Sequence, residues 1–545
     1  MSPQPPPSLA SPWWQRLAAT PQSHKRFPVS LPAVRPMVWL VVVVLAGLGL
    51  RGHSLATRSL WFDEACSWRL TEFPLLEMVQ RVAHDDHPPL YFLLLKAWAA
   101  VFGVSEWALR GLSVLLGGVT IGGIYLFTWE AFRQPDEAAE QEARRHRLAL
   151  FAAVAVAFSV FQVRWAWSVR MYTLGTALAA FSSWALFRAL HAPPSSVRPW
   201  LLFGLLDLLF AYTHYYALFS LAAQAIFLAG FLLLSSRGRP QALFRDPRWW
   251  HALLAGEIVA FGWLPWLPTF LAQRQQVLAA FWGLPVRAWD LAEVCGRMLF
   301  APENGRIGTS EGLLAAGVCV AILLAVLWRA RAGAWYVFLS AVIPLTFAVL
   351  LSRAGTHIFT CRYMLFANLF LLTALGVVVG RIPFRLERSL LAAILLAAFL
   401  GTYVDFWWAL DVEHKPGTRA AAAHIDSQRR LGEPVVVSSP LFYLPLLYHT
   451  ADRGDWYVFA PDLGLLHYEG APEITPEEIV NAAQLNALPA RRVWVVNMDG
   501  GGWGHRVVPI PTGWTMRSEQ RFPEVYDVQG EVVVVEYEII PLVRN

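Results

Sequence analysis

The feature that most constrains this chain is the number of stretches too apolar to remain in water. Such stretches run near residues 36–52, 108–130, 148–166, 171–190, 200–214, 215–234, 251–271, 311–328, 333–351, 362–380 and 389–409. Crossing the hydrocarbon core as a helix takes about 20 predominantly apolar residues, so these segments predict a polytopic α-helical membrane protein with about eleven spans. The rest of the composition agrees: 56% of residues are hydrophobic and 15% charged, whereas a soluble domain carries about 25% charged residues. A net charge of +5 over 545 residues, with no basic stripe, excludes a nucleic-acid partner.

Charge placement orients the spans. If the eleven segments alternate, the connections bearing Arg133/Arg144/Arg145/Arg147, Arg188/Arg198, Arg237/Arg239/Arg245/Arg248, Arg329/Arg331 and Arg381/Arg385/Arg388 share one side, which is then cytoplasmic. Residues 1–35, polar and Pro-rich with Lys25, Arg26 and Arg35 before the first apolar run, read as a cytoplasmic tail ahead of an uncleaved signal anchor. The stretch Pro88 to Phe102 begins Pro-Pro and carries Lys96. As a span it would reverse every later loop, so it is predicted to lie in the outer interface with Lys96 snorkelling to headgroups. The outer side then holds the 53–107 loop, the 272–310 loop and the C-terminus, in a multi-pass protein of the inner or plasma membrane.

From residue 411 to 545 the composition turns soluble. Candidate strands at 434–438, 455–459, 491–496 and 531–540 alternate with helices near 417–431, 440–449 and 475–488, predicting a small extracytoplasmic α/β domain. Gly500-Gly501-Gly502 does not open an apolar helix and so is no nucleotide fingerprint. The four cysteines form neither a zinc pattern nor a C-x-x-C pair, and Cys66 with Cys295 is the bridge that the outer loops would allow.

Acidic residues concentrate between 61 and 92, where Asp63, Glu64, Asp85 and Asp86 accompany His84 and His87. In Trp61-Phe62-Asp63-Glu64 the aromatic neighbours can exclude water and raise a carboxylate's basicity toward that of a general base. The plainer alternative is an interfacial aromatic anchor with solvated acids beside it. His87 precedes Pro88-Pro89 and is held in extended backbone, while one of Asp85 and Asp86 is expected to cap the helix that Pro88 opens. Arg164, Arg170, Tyr172, His214, Tyr215, Tyr216 and Arg362-Tyr363 stand at outer ends of spans, where Arg and Tyr can hold a phosphate headgroup or serve as interface anchors. Asp207 and Glu257 fall inside predicted spans, which is costly without a partner.

Taken in order, Trp61-Phe62-Asp63-Glu64, His87-Pro88-Pro89-Leu90-Tyr91, Phe102-Gly103-Val104-Ser105-Glu106 and Ser168-Val169-Arg170-Met171-Tyr172 resemble the GT-C superfamily of polytopic glycosyltransferases. The similarity is to the bacterial branch near protein O-mannosyltransferases and lipid A aminoarabinose transferases, and it covers most of residues 36–410. The resemblance implies a donor sugar carried on polyprenyl phosphate and an inverting transfer to a hydroxyl acceptor in the cell envelope. By it, Asp63 is the acid near the acceptor, with Glu64 as neighbour or alternate. His87, Arg170, Tyr172 and Arg362 are assigned to the donor phosphate, and Asp85, Asp86, His214 and Tyr215 to the acceptor or cavity. Relatives often carry lysine where this chain has His87. A phosphate leaving group needs little protonation, so no metal is required. Loop 272–310, with Arg274, Arg287, Arg297 and Arg306, is expected to cover the cavity. The alternative is a multi-pass transporter or flippase using Asp207 and Glu257 as relay groups, against which no inverted repeat is evident.

Overall fold

Each of the eleven apolar segments folds as helix, because in lipid only intrahelical bonds satisfy every backbone N–H and C=O. The computed structural model describes residues 34–134, 137–237, 239–280, 283, 285–300, 307–328, 330–500, 507–525 and 530–539. The first 33 residues of the tail, Arg306, Arg329 and Gly501-Gly502 lie outside them. The long helices are Val34–Gly52, Glu106–Ala131, Ala139–Phe158, Tyr172–His191, Arg198–Ala211, Ala217–Ser235, Pro247–Trp263, Thr309–Leu327, Ala332–Leu351, Leu365–Arg381 and Arg385–Leu410. By length and composition seven described helices can cross a membrane, or eight when a pair bent by 59° at Ser159 counts as one.

Two expected spans are interrupted. The 148–166 segment breaks into Ala139–Phe158 and Val160–Ala166 because Ser159 adopts extended backbone, φ −63° and ψ 119°. Segment 251–271 passes through a short 3-10 turn, Leu264–Trp266, where Pro265 and Pro268 remove backbone donors.

The bundle is layered by side-chain size. Leu365–Arg381 runs through the middle and packs along Ala139–Phe158, while Arg385–Leu410 stands outside with few buried residues. The central approach depends on Gly376, where a Cβ would fall 2.4 Å from the Ala152 Cα. Small residues of this kind let membrane helices close up without a hydrophobic drive.

The 53–107 loop is mostly helix: Phe62–Glu72, Leu75–Ala83 and Leu90–Phe102. Two expectations need correction here. Lys96 does not run to headgroups, since its ammonium donates to Thr71 O (2.8 Å) and Phe73 O (2.7 Å) and so closes the C-terminus of Phe62–Glu72. Neither Asp85 nor Asp86 caps Leu90–Phe102, whose N-cap is Pro89 without a side-chain bond. The 272–310 region is likewise not an open loop, because helices Leu267–Ala279 and Asp290–Phe300 occupy most of its described residues. There Arg287 pairs with Asp290 at 3.1 Å and Arg297 with Glu293 at 2.7 Å.

Beyond residue 417 the chain forms a six-stranded sheet in the order β3-β2-β1-β4-β6-β5. The strands are β1 Val435–Val437, β2 Trp456–Phe459, β3 Ile479–Val480, β4 Arg492–Asp499, β5 Trp514–Pro523 and β6 Glu531–Ile539. The first four run parallel, while β6 pairs antiparallel with β4 and β5 antiparallel with β6. Buried on both faces, β1 is an unbroken Val run. The sequence missed β5, whose exposed polar residues show no apolar alternation. It also misread 475–488, which is a 3-10 turn, β3 and the short helix Ala482–Asn486.

This sheet unit is fastened to the 53–107 loop. Helix Pro440–His449 packs on Phe62–Glu72, Arg419 pairs with Glu106, Arg69 reaches Glu478 at 2.9 Å and Arg81 donates to Pro472 O at 2.7 Å. All four cysteines are free, and the side-chain partner of Cys295 is Cys319 rather than Cys66. Gly376→Leu is expected to abolish the monodisperse folded peak in size-exclusion chromatography, while Gly401→Leu, where a Cβ meets nothing within 4 Å, should leave it unchanged.

Candidate active site

The Trp61-Phe62-Asp63-Glu64 run lies at the N-terminus of Phe62–Glu72, and its two acids face different surroundings. Glu64 is fully buried. It reaches back to the Trp61 backbone N–H at 3.3 Å, as the third residue of a capping box does. The same carboxylate accepts from Arg110 Nε (2.9 Å), Arg110 Nη2 (2.6 Å) and Val169 N (3.1 Å). Burial alone would raise its pKa, but the Arg110 charge and these hydrogen bonds outweigh it, so Glu64 is held below the usual carboxylate range and stays ionised. Arg110 in turn donates to the carbonyls of Leu55, Arg58 (3.2 Å) and Ser59 (3.0 Å). Both Glu64 oxygens are thus occupied by structural donors, so the geometry leaves it no open position as an alternate base.

Asp63 is turned to the other side. Its Oδ2 lies 3.3 Å from Arg362 Nη1, and the Arg362 guanidinium sits over the Trp61 and Tyr363 rings at 5.7 and 5.4 Å. Arg362 belongs to a 3-10 turn, Cys361–Met364, that leads into the central helix.

His87 closes the corner between Leu75–Ala83 and Leu90–Phe102. Its Nδ1 is bonded to Asp86 Oδ1 and lies 3.4 Å from Asp85 Oδ2. Arg170 Nη2 approaches the same ring at 3.2 Å, and Arg170 Nη1 lies 3.5 Å from Ser67 Oγ. Burial disfavours a charged imidazole, and Arg170 opposes it too, but the Asp86 carboxylate prevails and His87 is pushed above the ordinary histidine value. Asp86 is pulled below the carboxylate range: burial would raise it, and His87 and Arg170 overcome that. The pair is therefore an imidazolium beside a carboxylate. Donor atoms of Asp85, Asp86 and His87 all lie within 4.8 Å of one another, a grouping that could also close on a metal ion.

An aromatic wall borders this cluster. His214 is buried, with ring centroids 5.5 Å from His87, 4.9 Å from Tyr363 and 6.1 Å from Tyr172. The His214 Nδ1 accepts from Tyr216 N at 3.1 Å, which leaves the ring proton on Nε2. Tyr215 is not part of the wall; its hydroxyl bonds Gln273 and accepts from Trp266 Nε1 at 2.9 Å. Asp207 is buried against Ser182 and Gln224, whereas Glu257 lies exposed on its helix, so the two do not form an inward-facing relay pair.

Three residues were not singled out from sequence. Arg110 had a usable signal, an arginine in the first turns of an otherwise apolar helix. Ser67 and Glu473 had none, because the fold alone brings them here. Glu473 comes from the β2–β3 connection and is buried; burial first, and then Asp85, hold its carboxyl far above the usual range, so it is neutral.

A family model for dolichyl-phosphate-mannose-protein mannosyltransferase matches residues 86–266, about a third of the chain. No curated protein sequence matches. Among solved structures, ArnT from Cupriavidus metallidurans bound to undecaprenyl phosphate is 15% identical, covers 92% of this chain and 98% of that chain, and gives a TM-score of 0.57. The apo state of the same protein gives 14% identity, the same coverage and the same TM-score. At such identities the likeness is one of fold, and the chain has the GT-C fold. The resemblance to GT-C glycosyltransferases is thus met in sequence by the family model and in fold by ArnT.

Removing one partner of a buried ion pair costs about 3–5 kcal/mol, while replacing both by apolar groups can be nearly neutral. Arg110→Leu is therefore expected to lower the thermal unfolding midpoint steeply, and Glu64→Leu/Arg110→Leu to recover much of the loss. An unchanged midpoint in Arg110→Leu would contradict the structural role of the pair.

Proposed function

We propose that this chain is an inverting glycosyltransferase that moves a sugar from polyprenyl phosphate to a hydroxyl acceptor of the cell envelope. The observation that carries the reading is the convergence, in one largely buried outer-loop site, of the Asp63 carboxylate with three cationic side chains, Arg362, Arg170 and His87. An anionic lipid headgroup needs the cations and an attacking hydroxyl needs the base. The family match and the fold shared with an undecaprenyl-phosphate-bound protein support the same reading.

In this reading residues 36–410 cross the membrane eleven times, residues 1–35 are cytoplasmic, and residues 411–545 stand with the 53–107 loop on the outer face. The donor phosphate lies among His87, Arg170 and Arg362, with Tyr172 in the adjoining wall. Arg362 is shared between phosphate and Asp63, so a bound donor draws the guanidinium toward itself and opens the carboxylate to the acceptor. Asp63 then takes the proton of the acceptor hydroxyl, whose oxygen forms the new bond to the anomeric carbon. The bond from that carbon to the phosphate oxygen breaks, the lipid phosphate leaves as an anion held by the three cations, and the anomeric centre inverts. Three cations neutralise the leaving group. Asp85 and Asp86 keep His87 charged, and His214 offers its Nε2–H from the wall.

Loss of a general base costs about a hundredfold to ten-thousandfold. Asp63→Asn is expected to lose that much sugar transfer from polyprenyl-phosphate donor to envelope acceptor while still binding undecaprenyl phosphate; near-wild-type transfer would refute the assignment.

The raised pKa of His87 gives a second test. Its charge is complete in acid and is lost as pH rises through that pKa, so its contribution to phosphate binding disappears on the alkaline side. A lysine stays charged to about pH 10. The affinity for undecaprenyl phosphate is expected to fall with rising pH in the wild type relative to His87→Lys; parallel profiles would contradict the role of His87.

A further inference from the structure

The sheet unit also borders a cleft. Residues 465–476, between β2 and β3, form one side of a cleft of about 570 Å³, and the other side comes from Leu75–Ala83 and the last turn of Leu267–Ala279. The walls are tied to each other: Arg81 donates to Pro472 O at 2.7 Å and Gln273 to Val82 O at 2.9 Å. One turn beyond Gln273, Gln276 lines the cleft, and so does His467. Gln276 Oε1 and His467 Nε2 are both buried atoms without a hydrogen-bond partner among the described residues. Buried polar atoms are ordinarily paired, so two orphans in one cavity point to a missing ligand. An amide oxygen only accepts, and an imidazole nitrogen can carry a proton and donate. Together they suit a hydroxyl, which does both. Gln80 and His84 add further amide and imidazole groups.

The cleft adjoins the reacting centre. Pro472 and Ile474 line it, while Glu473 between them is buried and interacts electrostatically with Asp85, Asp86 and Arg170. His467, on the same wall, acts on Asp86. Segment 472–474 is thus a thin partition between the cleft and the charged cluster.

We propose that this cleft binds a hydroxyl-rich saccharide acceptor, with Gln276 and His467 as its hydrogen-bond partners. The proposal rests on the glycosyltransferase reading and deepens it by giving the acceptor a chemical class and a place. The donor's sugar is also a polyol, so the test must separate the two sources.

Full-length protein in nanodiscs free of sugar-headed detergent would be probed by saturation-transfer NMR with the methyl glycosides of glucose, galactose, mannose and arabinofuranose, with and without undecaprenyl-phosphate-linked mannose. The expected result is that at least one glycoside binds, that Gln276→Leu and His467→Leu weaken it about tenfold, that Gln276→Glu restores it by keeping an acceptor oxygen, and that undecaprenyl-phosphate-linked mannose does not displace it. The Leu variants are compared at equal thermal unfolding midpoints. Displacement by undecaprenyl-phosphate-linked mannose would give the cleft to the donor sugar and overturn the proposal, as would wild-type binding by both Leu variants or no glycoside binding. Loss of the glycosyltransferase reading would appear separately, as no sugar transfer by the wild type from a polyprenyl-phosphate donor, and would not alter this binding result.

Discussion

The arrangement of the site depends on one buried ion pair. Glu64 and Arg110 are both fully buried, and taking two charges out of water costs several kcal/mol per ion unless every donor and acceptor is matched. Here they are matched, and the matching positions the chemistry. Glu64 holds the Val169 N–H, which fixes the residue before Arg170, and it occupies the helix position immediately after Asp63. One carboxylate therefore sets both Asp63, the proposed base, and Arg170, the proposed phosphate contact, while Arg110 draws the 55–59 carbonyls against the Glu106–Ala131 helix. The pair contributes geometry rather than catalysis.

The eleven apolar segments and the acid cluster of residues 61–92 were legible in the sequence because they rest on composition and local chemistry. The breaks at Ser159 and at Pro265/Pro268 were not drawn, although proline gave a local signal for the second. The roles within Trp61-Phe62-Asp63-Glu64 could not be separated from sequence, since adjacent residues on a helix point in different directions and only the partner at 110 shows which of the two is tied. Lys96 was misread for a related reason: the carbonyls of Thr71 and Phe73 come to it through folding, and an ammonium with backbone acceptors at hand has no need of headgroups. Tyr215 was grouped with His214 by adjacency, yet its hydroxyl faces Gln273. Strand β5 escaped because an exposed edge strand carries no apolar alternation.

The C-terminal unit joins this picture through contact rather than through motifs. Its Arg419, Glu478 and Pro472 lock onto the outer loop, and Glu473 places a neutral carboxyl beside Asp85. Such a unit can shape which acceptor reaches Asp63 without touching the donor lipid. In the proposed reading the two sides of the site divide by chemistry, with cations and an aromatic wall toward the lipid phosphate and amides and imidazoles toward hydroxyls.

The central claim is that donor phosphate lies among His87, Arg170 and Arg362 with Asp63 facing the anomeric position. The most direct measurement is a cryo-electron-microscopy structure of the full-length protein with undecaprenyl phosphate. The account predicts phosphate oxygens within hydrogen-bond distance, about 2.7–3.2 Å, of the Arg170 and Arg362 guanidinium groups and the His87 ring, with Arg362 moved from Asp63 toward the phosphate. A phosphate seated away from all three, with the Asp63 and Arg362 pair undisturbed, would contradict it.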